Sequence, residues 1–275
     1  MKTLSYAKKS YSMNNIQIII PMTGNGSRFK ADGYQRLKPF INIHGKPMIH
    51  WVAKMFPGDE SKILFICRDE HIRKYKYILP ALKKITKVPN IYRIKSWQKR
   101  GPANDIILAS ESIDDDKPVL VSYCDFFASW DYPAFKKLIS TIDPDGMVPC
   151  YTGFHPHLVH PENLYATCET NKHNFLEKIR EKHQIHEDKT RDFQSPGLYY
   201  FKSGKILKKY CMELIKSNLS INNEFYMSLP FNYMVQDNLS VLCPPIVKYF
   251  CQWGTPQDLE EYNEWMEYVK KIKLR

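Results

Sequence analysis

Residues 24–28 read Gly24-Asn25-Gly26-Ser27-Arg28, and they follow the apolar run Ile16-Gln17-Ile18-Ile19-Ile20 almost directly. Two glycines permit a tight turn in which backbone approaches a ligand closely. Successive N–H groups in such a turn make an anion-binding concavity. Arg28 adds a planar cation suited to phosphate oxygens. The implied chemistry is polyphosphate handling, with Met22, Thr23, Gly24, Asn25, Gly26 and Ser27 as candidate nucleotide-binding residues. The turn is neither of two common phosphate loops: no Gly-Lys-Ser/Thr follows Gly26, and Phe29 stands where a dinucleotide fingerprint needs its third glycine. Lys38, before Pro39, lies close enough in sequence to reach back to the same phosphates. Arg100-Gly101-Pro102-Ala103 marks a helix start whose free backbone groups can read a base edge. Asp125 follows the apolar strand Val119 to Tyr123, at the carboxyl end where ligands of open α/β sheets sit. A lone carboxylate there suits magnesium, which keeps waters and phosphate oxygens in its shell.

The elements that must position these residues alternate. Strands are expected at 62–67, 91–94 and 119–123 after the first, with helices at 47–56, 71–84 (broken near Pro80) and 102–113. That alternation through about residue 150 predicts an α/β fold, an open, mainly parallel sheet with helices on both faces. The second half reads as strands near 147–151, 165–169, 175–179, 198–201 and 246–250, and helices at 204–216 and 224–235. A final helix opens at Thr255-Pro256, threonine capping and proline in the first turn. A single domain over 16–275 is expected, its halves 16–150 and 151–275 taking the nucleotide and its partner. Residues 1–15 read as a flexible extension.

Composition narrows the class. The chain has 275 residues and a formal charge of +11, yet its lysines are spread rather than clustered with aromatics. That pattern argues for anionic small substrates and against nucleic acid. No run is long enough to span a bilayer. Seven cysteines show no Cys-x-x-Cys and no zinc spacing, so reduced thiols in a cytoplasmic protein are expected. Asp114-Asp115-Asp116 reads as a solvated turn, since clustered charges face water. Trp253, before the last helix, reads as a packing residue.

Taken together, Gly24-Asn25-Gly26-Ser27-Arg28, Lys38-Pro39, Gly101-Pro102-Ala103 and Asp125 resemble the motifs of sugar-phosphate nucleotidyltransferases, the nucleoside-diphosphate-sugar pyrophosphorylases. Later landmarks are similar too: Glu181-Lys182, Gly197-Leu198-Tyr199-Tyr200-Phe201, Glu224, and the closing Gly254-Thr255-Pro256-Gln257-Asp258. The resemblance runs from about Ile16 to Tyr262 and looks closest to the capsule and surface-polysaccharide branch. It implies a Rossmann-like sheet of the nucleotide-diphospho-sugar transferase (GT-A-like) type with a smaller antiparallel acceptor-binding part. It implies a magnesium-dependent transfer in which an acceptor phosphate attacks the α-phosphorus of a nucleoside triphosphate, CTP or UTP by family analogy, and pyrophosphate leaves. Arg28 would meet the leaving phosphates, Lys38 the α-phosphate and Asp125 the metal. Lys182 would grip the acceptor phosphate, with Gly197, Glu224 and His155 completing the acceptor site. The resemblance leaves the acceptor open between a sugar phosphate and another small phosphorylated metabolite, and leaves self-association open.

Two departures stand out. Pro21-Met22-Thr23-Gly24 replaces the family's Leu-Ala-Ala-Gly opening, and Gln252 stands where many members have a second metal aspartate. A glycosyltransferase of related fold is the main alternative, but Cys124-Asp125-Phe126 lacks the Asp-x-Asp such enzymes carry. A non-catalytic nucleotide sensor is the third reading, motivated by Gln252.

Overall fold

Alternate isoleucines of the first strand, Gln17–Pro21, face opposite ways: Ile18 and Ile20 join one buried cluster and Ile19 another. The strand is therefore central, covered on both faces, as the apolar run demands. A computed structural model describes residues 15–95, 98 and 100–273. Residues 1–14 of the extension expected at 1–15, and Lys99, lie outside the described residues. Seven strands form the main sheet in the order Val241–Leu242, Gly146–Met147, Leu198–Phe201, Val119–Ser122, Gln17–Pro21, Ile63–Arg68 and Asn90–Ile94. All neighbours pair in parallel except Leu198–Phe201, which runs antiparallel to both of its neighbours. The α/β architecture and mostly parallel sheet are thus as the alternation implies.

Helices Met48–Ala53, Asp69–Lys74, Ile78–Lys83 and Tyr132–Thr141 cover one face through Ile49, Val52, Ile72, Leu82 and Phe135. Helices Pro102–Leu108, Gly204–Ser217 and Pro230–Gln236 cover the other through Ile106, Leu207 and Phe231. A three-stranded antiparallel sheet, Ala166–Thr170 between Leu176–Glu181 and Phe193–Gln194, stands beside this sandwich. Cys150, Cys168 and Cys243 gather at that junction, all buried, with Cys150 and Cys168 sulfurs 3.8 Å apart. Burial pushes the Cys150 thiol well up, so it stays protonated. All seven cysteines are free.

Three expectations need correction. The helix break falls at 75–77, not at Pro80; Pro80 sits in the first turn of Ile78–Lys83, where its missing N–H removes no helical bond. The helix expected at 224–235 begins only at Pro230, because Asn222 and Asn223 adopt positive φ and fold 221–224 into a turn. The strand expected at 147–151 is short, only Gly146–Met147 pairing as a regular ladder. The segment 126–141 carries a strand, Phe126–Trp130, and a helix capped by Asp131, whose carboxylate accepts the Ala134 N–H at 2.8 Å. Phe126–Trp130 pairs antiparallel with Val247–Gln252, and the register sets Gln252 opposite Phe126, beside Asp125.

Candidate active site

The parallel strands end on one side in a cleft of about 410 Å³. Its floor begins where the first strand stops. Met22 N–H still donates to Ile66 O at 2.8 Å, so its backbone belongs to the sheet and its side chain is buried. The Thr23 hydroxyl donates to the buried Asp105 carboxylate, tying the turn to the helix Pro102–Leu108. Gly26 is left-handed (φ 60°, ψ 40°) and caps the short helix Ser27–Ala31; a Cβ on it would lie 3.3 Å from Lys38 Cβ. Gly24 and Arg28 line the cleft, Arg28 with an exposed side chain. Asn25 and Ser27 are exposed on the turn's outer side, and Arg68 donates to Asn25 Oδ1 at 2.5 Å.

Lys38 is held by buried Leu37, Pro39 and Phe40 around it. Its ammonium donates to Asp125 Oδ2 and to Gly254 O, each at 2.7 Å. One cation thus ties together the phosphate turn's neighbour, the end of the central strand and the entry to the last helix. Trp253 N–H donates to Asp125 O at 3.1 Å. The Trp253 side chain is buried with Phe29 and Leu259 and is not among the cleft's lining, as a packing residue should be.

Across the cleft, Gly101 takes φ 89° and ψ 172°, a conformation open to glycine almost alone. Its neighbours make two backbone bonds with Phe225: Phe225 N–H to Arg100 O at 2.8 Å and Ala103 N–H to Phe225 O at 3.1 Å. Gly101 and Pro102 line the cleft; Arg100 lies over the Phe225 ring and Ala103 is buried. Beyond them lie Glu181, Lys182, Gly197 and Glu224. Lys182 carries φ 52°, with its N–H bonded to Tyr165 O at 3.0 Å. Gly197, at φ 104°, leaves room for the Tyr123 ring, which a Cβ would meet at 3.0 Å.

His155 is not among the residues lining the cleft. It is buried and packs on Tyr151, ring centroids 4.6 Å apart, next to His157. The aromatic stack of Tyr151, His157 and Phe250 draws it inward. Conversely, the cleft uses residues that the sequence reading did not single out as site residues. Tyr123, Tyr165, Tyr199 and Tyr226 form much of its wall. Glu181 accepts a hydrogen bond from Ser228, yet burial pushes its carboxyl up to about 7. Burial, with the Glu224 and Glu181 carboxylates, pushes the Tyr226 phenol up to about 12. Asp258 and Thr255 form a reciprocal cap: Asp258 N–H to Thr255 Oγ1 at 3.1 Å, Thr255 N–H to Asp258 Oδ2 at 2.8 Å.

Gln252 is doubly engaged. Its Oε1 accepts the Tyr165 hydroxyl and its Nε2 donates to Asp258 Oδ1 at 2.7 Å. Asp258, six residues after Gln252 and bonded to its amide, is a second acid in the lining of the cleft. Among the described residues no trio of carboxylates or imidazoles converges here; the one close trio of ligand types is the buried cysteine group. A single carboxylate with neutral oxygens nearby fits magnesium, which binds through one or two carboxylates plus phosphate oxygens and water.

A glycine turn at the end of a central parallel strand, a cation–carboxylate pair beside it and a second glycine turn opposite define a nucleotide-handling α/β protein. The sequence from 17 to 267 matches the family model described as nucleotidyl transferase, and the chain belongs to that family. No curated protein matches the chain by sequence. Among solved structures, it is similar to the nucleoside-diphosphate-sugar pyrophosphorylase from Vibrio cholerae RC9, at 20% identity and TM-score 0.72, covering 90% of this chain and 99% of that one. A UDP-glucose pyrophosphorylase complexed with UDP-glucose is similar at 16% identity and TM-score 0.70, covering 94% and 99%. HddC from Yersinia pseudotuberculosis shares 19% identity at TM-score 0.58, covering 90% and 99%. At these identities the likeness establishes the fold. Among the described residues no helix is long and apolar enough to cross a membrane.

Proposed function

We propose that the protein joins a nucleoside triphosphate, CTP or UTP in preference, to a sugar phosphate or another small phosphorylated metabolite, releasing pyrophosphate for capsule or surface-glycan synthesis. The observation that carries this reading is the convergence of Gly24, Arg28, Lys38, Gly101, Asp125 and Lys182 on one cleft. The reaction needs positioning and charge neutralisation more than covalent help. The acceptor's phosphate oxygen forms a bond to the α-phosphorus, and the bond from that phosphorus to the bridging oxygen breaks as pyrophosphate departs. Arg28 offers its guanidinium to the departing phosphates. Lys38, fixed by Asp125 and Gly254, keeps its charge at the α-phosphate side. The turn amides cradle the chain of phosphates, and Gly101 lets backbone groups approach the base. Lys182 holds the acceptor phosphate in line. Asp125, with Gln252 as a neutral neighbour, would hold magnesium, which when bound neutralises phosphate oxygens.

The test is pyrophosphate release with each of four nucleoside triphosphates against a panel of sugar 1-phosphates and non-sugar phosphates. Release that requires both a triphosphate and one acceptor supports the reading. Sugar transfer from a nucleotide sugar, with no pyrophosphate formed under any combination, would replace it.

A further inference from the structure

Behind the glycine turn lies a separate polar pocket of about 470 Å³, lined by Asn25, Lys30, Glu70, His71, Arg73 and Lys74 among others. It sits where the neighbouring parallel strand Ile63–Arg68 ends, next to the end of Gln17–Pro21. Carboxyl ends of adjacent strands are where open α/β sheets hold ligands. Lys30 comes from the short helix after the turn; Arg73 and Lys74 come from the helix Asp69–Lys74. Arg68 stands behind them and reaches Asn25 Oδ1 at 2.5 Å.

The cations converge on His71, which is buried, and whose Nδ1 has no hydrogen-bond partner. Burial, then Arg68, Lys30 and Lys74, pushes its imidazole down to about 4. A neutral ring ringed by like charges marks a region of positive potential. Two carboxylates oppose it: Glu70 pairs with Arg68 and lies 3.8 Å from His71 Nε2, and Asp69 pairs with Arg73 at 2.6 Å. Glu70 is largely exposed, so water screens its charge, while Lys30, Arg73 and Lys74 line the pocket. Positive potential in a cleft concentrates anions, and guanidinium and ammonium groups together suit phosphate oxygens.

We propose that this pocket is a second anion site that binds a condensed phosphate, with inorganic pyrophosphate as the matching small ligand. Its position makes the turn Gly24–Ser27 a shared wall: the cleft lies on one side and Asn25 faces the pocket on the other. The site would take pyrophosphate on its way out or hold the far end of a bound triphosphate. That link to turnover rests on the function proposed above; the binding itself does not.

The experiment is calorimetric titration with inorganic pyrophosphate, without magnesium and at low ionic strength, of the full chain and three variants. Lys30→Ala/Lys74→Ala should weaken binding at least tenfold, about 1.4 kcal/mol or more. Arg28→Ala, a cleft variant, should weaken the pyrophosphate that binds in the cleft and leave the pocket's own site in place. Lys83→Ala/Lys84→Ala, of equal charge but outside the pocket, should match the parent. Unchanged thermal unfolding of the Lys30/Lys74 variant confirms that it folds, as expected for exposed side chains. Competition between pyrophosphate and nucleoside triphosphate would assign the pocket to the triphosphate's far end, and simultaneous binding to free pyrophosphate. Loss in Arg28→Ala with retention in Lys30→Ala/Lys74→Ala would place the anion in the cleft and overturn the proposal. So would equal losses in both double variants, or no binding at all. Pyrophosphate release by the active enzyme is read separately, so failure of the function and failure of the pocket are distinct results.

Discussion

Replacing Gly101 with alanine tests the base side of the cleft most directly. An added Cβ would lie 2.5 Å from Phe225 N, 2.9 Å from Phe225 O and 3.1 Å from Glu224 C. These are backbone atoms, so no side-chain rotation relieves the contact. At φ 89° and ψ 172° the alanine would itself cost about 1–3 kcal/mol. Relief requires Phe225 to draw back, which breaks its two backbone bonds with Arg100 and Ala103, about 1 kcal/mol each. The sum is roughly 3–5 kcal/mol if nothing else yields. Phe225 also leads into Tyr226 of the cleft wall and Met227, whose N–H donates to the Tyr123 hydroxyl at 3.1 Å. The movement therefore reaches the site. Urea unfolding should show a loss of at least 2 kcal/mol, and nucleoside triphosphate affinity should fall about tenfold or more. Gly24→Ala is the matched control, since a Cβ there meets nothing within 4 Å. Its stability should change by less than about 0.5 kcal/mol. A Gly101→Ala protein with under 1 kcal/mol of destabilisation and unchanged nucleotide affinity would refute the reasoning.

Arg28→Ala should lower kcat about 100-fold without altering thermal unfolding, because the side chain is exposed and acts on charge that develops on the leaving group; near-parental turnover would remove Arg28 from the reaction. Asp125→Asn should abolish magnesium-dependent turnover yet keep measurable nucleotide binding, and parental activity at limiting magnesium would sink the metal assignment. Gln252→Asp sets a carboxylate against Asp258, now 2.7 Å from the amide nitrogen it replaces; without added metal it should lower the unfolding temperature, and magnesium should restore much of the loss, which a titration of melting temperature checks. Glu181 has its carboxyl raised to about 7, chiefly by burial. The native state therefore holds its proton more tightly than the unfolded chain does, and the stability this gives is full below about 4.5 and lost as pH rises to about 7. Glu181→Gln should accordingly melt a few degrees higher than the parent at pH 8, with the gap closing by pH 4.5; a gap independent of pH would show that Glu181 is not held protonated.

Local chemistry made much of this legible. Gly24 to Arg28, Lys38, Gly101 and Asp125 stand at the ends of strands or at a helix start whose apolar patterns are strong, so their approach to one another follows from the sheet. Residues whose position depends on distant pairing were harder to read. The strand Phe126–Trp130, whose pairing with Val247–Gln252 sets Gln252 opposite Phe126 and next to Asp125, is too aromatic and irregular to show a clean period. The tyrosine wall is drawn from four separate segments, with no local signature. His155 runs the other way: a histidine flanking a proline suggests a contact loop, but its ring packs on Tyr151 and His157 in the interior, away from the cleft lining.

The antiparallel strand Leu198–Phe201 lies in the middle of the main sheet, between Val119–Ser122 and Gly146–Met147. On the ribosome, the first 150 residues emerge with that slot empty and one sheet face lacking the helices Gly204–Ser217 and Pro230–Gln236. The exposed edge of Val119–Ser122 is apolar and unpaired until roughly fifty more residues of peptide have followed Met147 out of the exit tunnel. Folding must therefore wait for late synthesis, and the nascent chain carries a sticky strand edge meanwhile. A chaperone that shields such edges, or a pause in translation near the middle of the message, would affect the yield of this protein more than that of a sheet built in simple sequence order.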